Sequence, residues 1–168
     1  RPIQMRADDS VVRVVAEQPL MIRRARGYAP LPIKLPWESV PILATGSELK
    51  SSFCINKGRD LYLGSHIGDL KNYETLTAYE QTVAHFERLF DFAPQLVAID
   101  AHPNYLSTRY GLERAERDNI SAEAIQHHHA HIAACMVEHG LTGESAVIGL
   151  AFDGAGYGCN DSIWGGEL

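Results

Sequence analysis

Cysteine is scarce in this sequence, and its distribution excludes a disulfide-bonded framework. The 168 residues contain three cysteines, Cys54, Cys135 and Cys159, with no C-x-x-C pair among them. An odd number of widely separated cysteines is typical of free thiols in a reducing compartment, so we expect a cytoplasmic protein. This spacing also disfavours a zinc ribbon within the chain.

Long apolar segments, internal repeats and low-complexity tracts are absent as well. No run approaches the roughly 20 apolar residues that a membrane-spanning helix requires, so we expect no membrane association. The sequence begins at Arg1 without a methionine or a signal-like segment, and we expect it to be an excerpt of a longer chain. With 45% hydrophobic and 21% charged residues, the composition is that of a globular protein.

Charge is unevenly distributed along the chain, although the net charge is only -6. Residues 1–38 carry seven basic and four acidic side chains, whereas the remainder carries eight basic and seventeen acidic ones. The acidic bulk makes general nucleic-acid binding unlikely, because such proteins present basic surfaces to the phosphate backbone. The basic opening segment can still meet phosphates or a nucleotide.

The first 36 residues have a different pattern from the rest of the chain. Val11–Val15 and Leu20–Ile22 are short strand candidates, and a proline-rich stretch follows at residues 30–36. Proline removes a backbone donor and disfavours both helices and inner strands. We interpret this segment as the end of one domain plus a linker, with a boundary near residues 37–41.

From about residue 40 onward, strand and helix patterns alternate, which predicts an α/β fold. The best-supported helix covers 73–90, where apolar residues recur every three or four positions and Asn72 is placed to cap the first turn. The apolar run 96–100 predicts a buried strand. The remaining predictions are strands at 41–46, 52–56, 60–64, 146–152 and 162–164, a hairpin turn at 57–59, and helices at 108–117 and 124–139.

The strongest candidate for chemistry is a histidine cluster, His127, His128, His129 and His131. On a helix, His127 and His131 lie one turn apart on the same face, where two neutral imidazoles can bind one divalent cation. His128 falls on a different face. A cluster of surface histidines without a ligand is the alternative explanation, since two histidines do not complete a coordination shell.

Asp153 is the natural third member of this site. It follows the predicted strand 146–152 and opens a glycine-rich turn that contains Gly154 and Gly156. Ligands of open α/β sheets bind at the carboxyl ends of strands, where a carboxylate can hold a metal and glycine backbones can approach a phosphate. An ordinary Asp-Gly turn is the alternative.

Three other segments have residues suited to phosphate or nucleotide binding. Ser47 and Lys50 follow the strand at 41–46, although the segment lacks the complete Walker pattern. Asp100 and His102 end the strand at 96–100 and either join the same sheet edge or cap it. In the basic segment, Ser10, Arg23 and Arg24 can bind a nucleotide or form a solvated basic surface.

Seven strings, taken in order, resemble the HypF carbamoyltransferases of nickel–iron hydrogenase maturation over essentially the whole chain. They are RADDSVVR, RRARGYAPLPI, ATGSELKSSFCI, SHIGDL, AIDAHPNYLSTRYG, QHHHAHIAACMVEHGL and FDGAGYG with its following IWGGE. The resemblance implies that residues 1–36 are the C-terminal end of a YrdC-like domain with its linker. It also implies that residues 40–168 are the first part of a TsaD-like domain with the actin-like ATPase fold.

The resemblance further implies an enzyme that uses carbamoyl phosphate and ATP to form a carbamoyl-adenylate. The carbamoyl group is then transferred to the C-terminal cysteine of a partner protein, HypE. By motif, His127, His131 and Asp153 correspond to catalytic metal ligands for a divalent cation (zinc, iron or magnesium). The resemblance also implies nucleotide- or phosphate-binding positions, which are Ser47, Lys50, Gly154, Gly156, Ser10, Arg23 and Arg24. We expect the 168 residues to be inactive alone.

Two alternatives remain open at this point. A TsaD-like threonylcarbamoyl transferase acting on tRNA would share the histidine pair and the fold. The basic YrdC-like segment and the additional histidines, His128 and His129, favour the hydrogenase-related family instead. The other alternative is a metal-binding module without enzymatic activity, which would bind a cation but no nucleotide.

Overall fold

The computed structural model describes Met5 and residues 7–168, so the opening residues of the predicted YrdC-like segment, 1–4 and 6, lie outside the described part. The described chain begins with an antiparallel hairpin of β1 (Val11–Val15) and β2 (Gln18–Arg23). Ala16 and Glu17 form its two-residue turn, both with positive φ. The two strands predicted in this segment are therefore confirmed.

The main sheet has four strands in the order β4-β3-β5-β6. β3 (Ile33–Ala44) pairs antiparallel with β4 (Cys54–Leu63) and parallel with β5 (Leu96–Asp100), which in turn pairs parallel with β6 (Ser121–Ile125). Among the described residues, three helices accompany the sheet: α1 (Tyr73–Phe90), α2 (Leu106–Asp118) and α3 (His127–Glu138). Because β3, β5 and β6 are parallel, their carboxyl ends meet at one sheet edge.

Helix α1 packs on the centre of this sheet and completes the larger hydrophobic core. The Asn72 side chain accepts hydrogen bonds from the backbone of residues 74 and 75, so the predicted cap is confirmed. The Phe53 ring is almost fully buried and meets the rings of Tyr79 and Phe86 edge to face. The Tyr79 hydroxyl donates a 2.8 Å hydrogen bond to the Thr45 carbonyl, which joins the helix to the end of β3.

The predicted hairpin turn at 57–59 is wrong, because these residues lie inside the single strand β4. β3 is long enough to pair with both halves of β4, and the register shifts on either side of the Ser39–Gly58 pair, so the glycine marks an irregularity and not a turn. The positions predicted as the domain boundary, 37–41, also belong to β3. The division of the chain into two domains at residues 36 and 40 stays a prediction.

The predicted helix at 124–139 begins later than expected, at His127, because residues 121–125 form β6. Alanine and glutamate in this segment favour a helix intrinsically. However, all five residues from Ser121 to Ile125 pair in parallel with the free edge of β5, and this pairing gives their backbone groups hydrogen-bond partners. The helix predicted at 108–117 is confirmed within α2.

The predicted strand at 146–152 is wrong. Residues 146–150 have no regular structure, and only Ala151 bridges to Glu167. Ile148 and Phe152 are 85% and 86% exposed. No strand within the described residues lies beside this apolar segment, so its backbone has no ladder to join. The predicted return strand is confirmed as β8 (Ile163–Trp164), which pairs with β7 (Gly156–Tyr157).

None of the helices among the described residues combines the length and apolarity needed to span a bilayer.

Candidate metal centre

A cavity of about 270 Å³ lies at the carboxyl ends of the three parallel strands. Each strand contributes its last residues, and α3 closes one side. Ligands of open α/β sheets bind at this edge. The cavity is lined by the loop after β3 and by the two histidines predicted to bind metal, among other residues. The lining residues are Ala44, Gly46, Ser47, Ala98, Ile99, Asp100, Ile125, His127, Ala130 and His131.

The two histidines expected to share a cation lie in the first two turns of α3. The Gln126 side chain caps this helix by accepting a 2.8 Å hydrogen bond from the His129 backbone N–H, which fixes the start of the helix at His127. The rings of His127 and His131 have centroids 4.8 Å apart. The His131 side chain is 57% exposed, whereas that of His127 is 16% exposed.

Asp153 completes the arrangement from outside the main sheet. Its Oδ2 lies 2.9 Å from His127 Nε2 and 3.4 Å from His131 Nε2. The three potential ligand atoms are all within 4.8 Å of one another. Two imidazole nitrogens and one carboxylate oxygen suit zinc and other divalent cations, and three ligands leave a coordination position open. The structure thus brings together all three predicted ligands, while their role in binding metal stays a prediction.

The electrostatics of the site favour a cation. Burial of the Asp153 carboxyl raises its pKa, but this is outweighed by the neighbouring charge of His127, a hydrogen bond from His131 and the backbone N–H of Gly154, so the pKa is lowered. The pKa of the nearby Tyr105 hydroxyl is raised by burial and by three surrounding carboxylates, those of Asp100, Glu48 and Asp153. This concentration of negative charge is compensated when a divalent cation binds.

The predicted phosphate loop after β3 is only partly at the site. Gly46 has φ +70, and a Cβ there would overlap the Ser52 carbonyl, so the tight turn into the cavity requires glycine. Ser47 lines the cavity. Lys50 is exposed and does not line it; its charge acts instead on His66, whose pKa is lowered mainly by burial and also by Arg23 and Lys50.

The two glycines after Asp153 differ in what they can approach. Gly154 has open space where a Cβ would be, and its N–H donates to the Asp153 carboxylate. Gly156 is buried, and a Cβ there would collide with the His128 ring. Gly156 therefore serves packing against α3. His128 does lie away from the other two histidines, and its Nδ1 is 2.6 Å from Glu167 Oε2.

The predicted nucleotide residues of the N-terminal segment lie apart from this cavity. Ser10 is occupied within the segment, because its hydroxyl donates to the Arg26 carbonyl and accepts from the Ala25 N–H. The Arg24 guanidinium donates to the carbonyls of Tyr28 and Leu31. Arg23 is exposed.

One residue at the site had not been singled out from the sequence. Glu48 is buried, and its Oε2 accepts a 2.7 Å hydrogen bond from the backbone N–H of Leu106, the first residue of α2. The residue before this helix, Tyr105, has no side-chain cap of its own. The Tyr105 ring stacks on His102 at 4.0 Å, and Tyr157 lies 5.1 Å from the same imidazole. Tyrosine is a poor helix-capping residue, so its place before α2 is the sequence signal that could have indicated a capping side chain from elsewhere in the chain.

Comparison with known proteins places the chain in a family. The sequence profile described as the HypF Kae1-like domain matches residues 38–138. The chain belongs to this family. Over its whole length the chain is 46% identical to a protein named Carbamoyltransferase HypF from Synechocystis sp. and to one named Carbamoyltransferase HypF2 from Cupriavidus necator. It spans about a fifth of their length, covering 21% of each.

Solved structures of HypF have the same fold. A crystal structure of full-length HypF in the phosphate- and nucleotide-bound form matches with a TM-score of 0.87 and 44% identity, over 95% of this chain and 25% of that one. The structure of HypF from T. kodakarensis matches with a TM-score of 0.85 and 39% identity, over 96% and 21%. The predicted resemblance to HypF and the α/β fold with a Kae1-like (TsaD-like) domain are therefore confirmed, and the relatives are transferases by name.

Proposed function

We propose that this chain contributes the metal-binding part of the carbamoyl-transfer site of a cytoplasmic HypF-type enzyme. The observation that carries the proposal is the convergence of His127, His131 and Asp153 beside a cavity that Ser47 also lines. The full-length enzyme uses carbamoyl phosphate and ATP to make a carbamoyl-adenylate. It then transfers the carbamoyl group to the C-terminal cysteine thiolate of HypE.

The donor set fits a divalent cation, and zinc, iron and magnesium are the candidates. His127 and His131 supply Nε2 atoms and Asp153 supplies Oδ2. When bound, such a cation would supply positive charge opposite a phosphate and help to orient the adenylate. Residues of the chain supply the other functions. The backbone at Gly46 and the Ser47 hydroxyl present hydrogen-bond donors to a phosphate. The cavity walls limit the access of water to a labile carbamoyl anhydride.

The other residues predicted to bind nucleotide differ in whether their surroundings leave room for a ligand. Gly154 leaves room for a ligand at its backbone, whereas Gly156 is filled by packing. Lys50 and Arg23 both lie close enough to His66 to lower its pKa, so they form a basic surface between the N-terminal segment and the main sheet. We propose that this surface, with Arg24 and Ser10 shaping its backbone, handles the nucleotide in the complete enzyme.

The two alternative functions make different demands on the protein. A tRNA threonylcarbamoyl transferase would require tRNA as acceptor, and a metal-binding module would bind zinc without any nucleotide. Full-chain similarity to proteins named HypF favours the HypE-directed reaction. The relative of known structure that was solved with phosphate and nucleotide bound favours an enzyme over a passive module.

Replacing His131 by alanine in the full-length protein tests the proposal. We expect bound zinc to fall sharply, because one of three ligands is lost. Carbamoyl transfer to HypE should fall by at least about 100-fold, the effect of losing a major electrostatic stabiliser. Carbamoyl-phosphate-dependent exchange between ATP and pyrophosphate should persist, since adenylate formation belongs to the other domain. Metal content is measured by elemental analysis and transfer with radiolabelled carbamoyl phosphate.

His129→Ala is the matched control, because His129 is an exposed histidine of the same helix that does not line the cavity. It should leave both metal content and transfer unchanged. Wild-type zinc and wild-type transfer in His131→Ala would contradict the proposal. Transfer of a threonylcarbamoyl group to tRNA by the wild-type protein, without transfer to HypE, would favour the first alternative.

A further inference from the structure

The two histidines of the metal centre are held in different ways. His127 Nδ1 lies 2.7 Å from Asp100 Oδ2, and both side chains are largely buried. His131 is mostly exposed, and within the described residues the Asp153 carboxylate, at 3.4 Å from Nε2, is its one recorded polar contact. His127 therefore has a carboxylate at Nδ1, the ring nitrogen that faces away from Asp153, and His131 has none there among the described residues.

Asp100 is itself held by two hydrogen bonds besides its contact with His127. Its Oδ1 accepts a 2.8 Å hydrogen bond from the backbone N–H of His102, two residues further along. The backbone carbonyl of Asp100 accepts a hydrogen bond from the Thr108 hydroxyl of α2. The end of β5 and the start of α2 thus hold the carboxylate so that Oδ2 remains directed at the imidazole.

We propose that Asp100 is a positioning residue that makes His127 the principal ligand of the metal centre; this inference rests on the proposed metal site. Both ring nitrogens of His127 face a carboxylate, Asp100 Oδ2 at Nδ1 and Asp153 Oδ2 at Nε2. A carboxylate accepts hydrogen bonds and cannot donate one, so when a cation occupies the Asp153 side, Asp100 would keep the proton of the neutral imidazole on Nδ1. The lone pair is then on Nε2, the nitrogen that faces Asp153 and the proposed cation. Asp100 acts through His127 and does not contact the cation.

Asp100→Asn provides the sharpest test, because the oxygen of an amide only accepts hydrogen bonds and its NH₂ only donates them. The side-chain oxygen must stay on the His102 N–H, since turning the amide would set two donors against each other. The amide NH₂ then takes the place of Oδ2 and donates to Nδ1, which moves the imidazole proton to Nε2. A near-isosteric substitution would therefore oppose coordination, whereas alanine would leave the ring free to adopt either tautomer.

The experiment measures the affinity of the full-length protein for Zn²⁺ alone, by competition with a chromogenic chelator. Loss of an outer-shell partner typically lowers metal affinity about 10- to 100-fold. We expect Asp100→Ala to lose about 10-fold and Asp100→Asn to lose at least as much. Asp69→Asn is the matched control: Asp69 also accepts a hydrogen bond from a backbone N–H two residues on, that of Lys71, and is exposed. Its affinity should equal that of wild type.

A spectroscopic measurement on the wild type needs no variant. In the zinc-loaded protein, nitrogen NMR of labelled histidine should show His127 protonated at Nδ1 and coordinated through Nε2. Coordination through Nδ1, or an Asp100→Asn protein that binds Zn²⁺ more tightly than Asp100→Ala, would overturn the role of Asp100. Failure of the wild type to bind Zn²⁺ would overturn the proposed metal site instead, so the two failures are distinguishable.

Discussion

Two regions of the molecule are both rich in apolar residues, but one region buries these side chains and the other exposes them. In the sheet with α1, Phe53 is 1% exposed and contacts the rings of Tyr79 and Phe86. In the segment 146–152, Phe152 is 86% exposed and the backbone has no strand beside it in the described part of the chain. Hydrophobicity favours burial, but a partner surface decides whether burial occurs.

The candidate metal centre contains residues that depend on both regions. Asp100 ends a strand of the packed sheet and holds His127 at the start of α3, whereas Asp153 follows directly on the exposed segment. The position of two of these groups is thus determined by a core and a sheet edge. The position of Asp153 depends on its own contacts with the two histidines and with Gly154. This difference leads to three predictions, which begin with the largest effect.

Matched phenylalanine substitutions test the contrast between the two regions most strongly. Phe53→Ala should lower the free energy of unfolding by about 3–5 kcal/mol, because it removes a fully buried ring and leaves a cavity. Phe152→Ala should change it by no more than about 0.5 kcal/mol, as is usual for an exposed position. Urea denaturation of the full-length variants provides the measurement. Equal losses would show that Phe152 is covered in the complete protein.

Matched glycine substitutions compare the turn into the cavity with an open turn. Gly46→Ala should cost at least about 2 kcal/mol, because the backbone has positive φ and the new Cβ would overlap the Ser52 carbonyl. Gly143→Ala shares the positive φ, but it has no atom within 4 Å of the new Cβ, so about 1 kcal/mol of strain is expected. Thermal unfolding distinguishes the two. A smaller loss for Gly46→Ala than for Gly143→Ala would refute the steric argument.

The smallest effect concerns acid stability of the packed region. Arg114 is buried and joins Glu87 of α1 to Asp118 of α2. Burial raises the pKa of Asp118, but hydrogen bonds from Arg114 and Arg117 outweigh it and lower the pKa. A lowered pKa in the folded state means that the carboxylate stabilises the fold above its unfolded pKa of about 3.9. That stabilisation is lost as the pH falls through the folded pKa.

Asp118→Asn measures this contribution directly. At pH 7 it should lower the free energy of unfolding by about 1 kcal/mol, the size of a partly exposed charge-assisted hydrogen bond. The difference from wild type should begin to shrink as the pH falls below the unfolded pKa of about 3.9, and it should disappear only below the lowered folded pKa, where the wild-type carboxylate is protonated. Urea titrations at several pH values provide the comparison. A difference that is independent of pH would assign the effect to packing alone.

Local patterns predicted the elements whose partners are close in sequence. The stripe of α1 and its Asn72 cap, the strand at 96–100 and the helical spacing of His127 and His131 all follow from periodicity within one element. The prediction that Asp153 joins the histidines also needed the rule that ligands gather at the carboxyl ends of strands. The structure brings it there from an irregular segment instead of from a strand.

The elements that were predicted wrongly depend on distant partners. Residues 121–125 form a strand because β5 offers an edge, and residues 57–59 stay extended because β3 is long enough to pair with them. The contact between Glu48 and the start of α2 joins residues 58 positions apart, with no local pattern to indicate it. The Asp100–His127 pair likewise requires two parallel strands to be in register before the side chains can meet.

The contact between Asp153 and the histidine pair has a consequence for folding. A cation that holds His131 and Asp153 together acts as a reversible cross-link between α3 and a segment with little packing of its own. For a closed loop of about 20 residues, a covalent cross-link reduces the entropy of the unfolded chain by an equivalent of about 3 kcal/mol. Metal loading would then anchor the chain between α3 and the glycine turn, and the proposed ligands would also tether that segment.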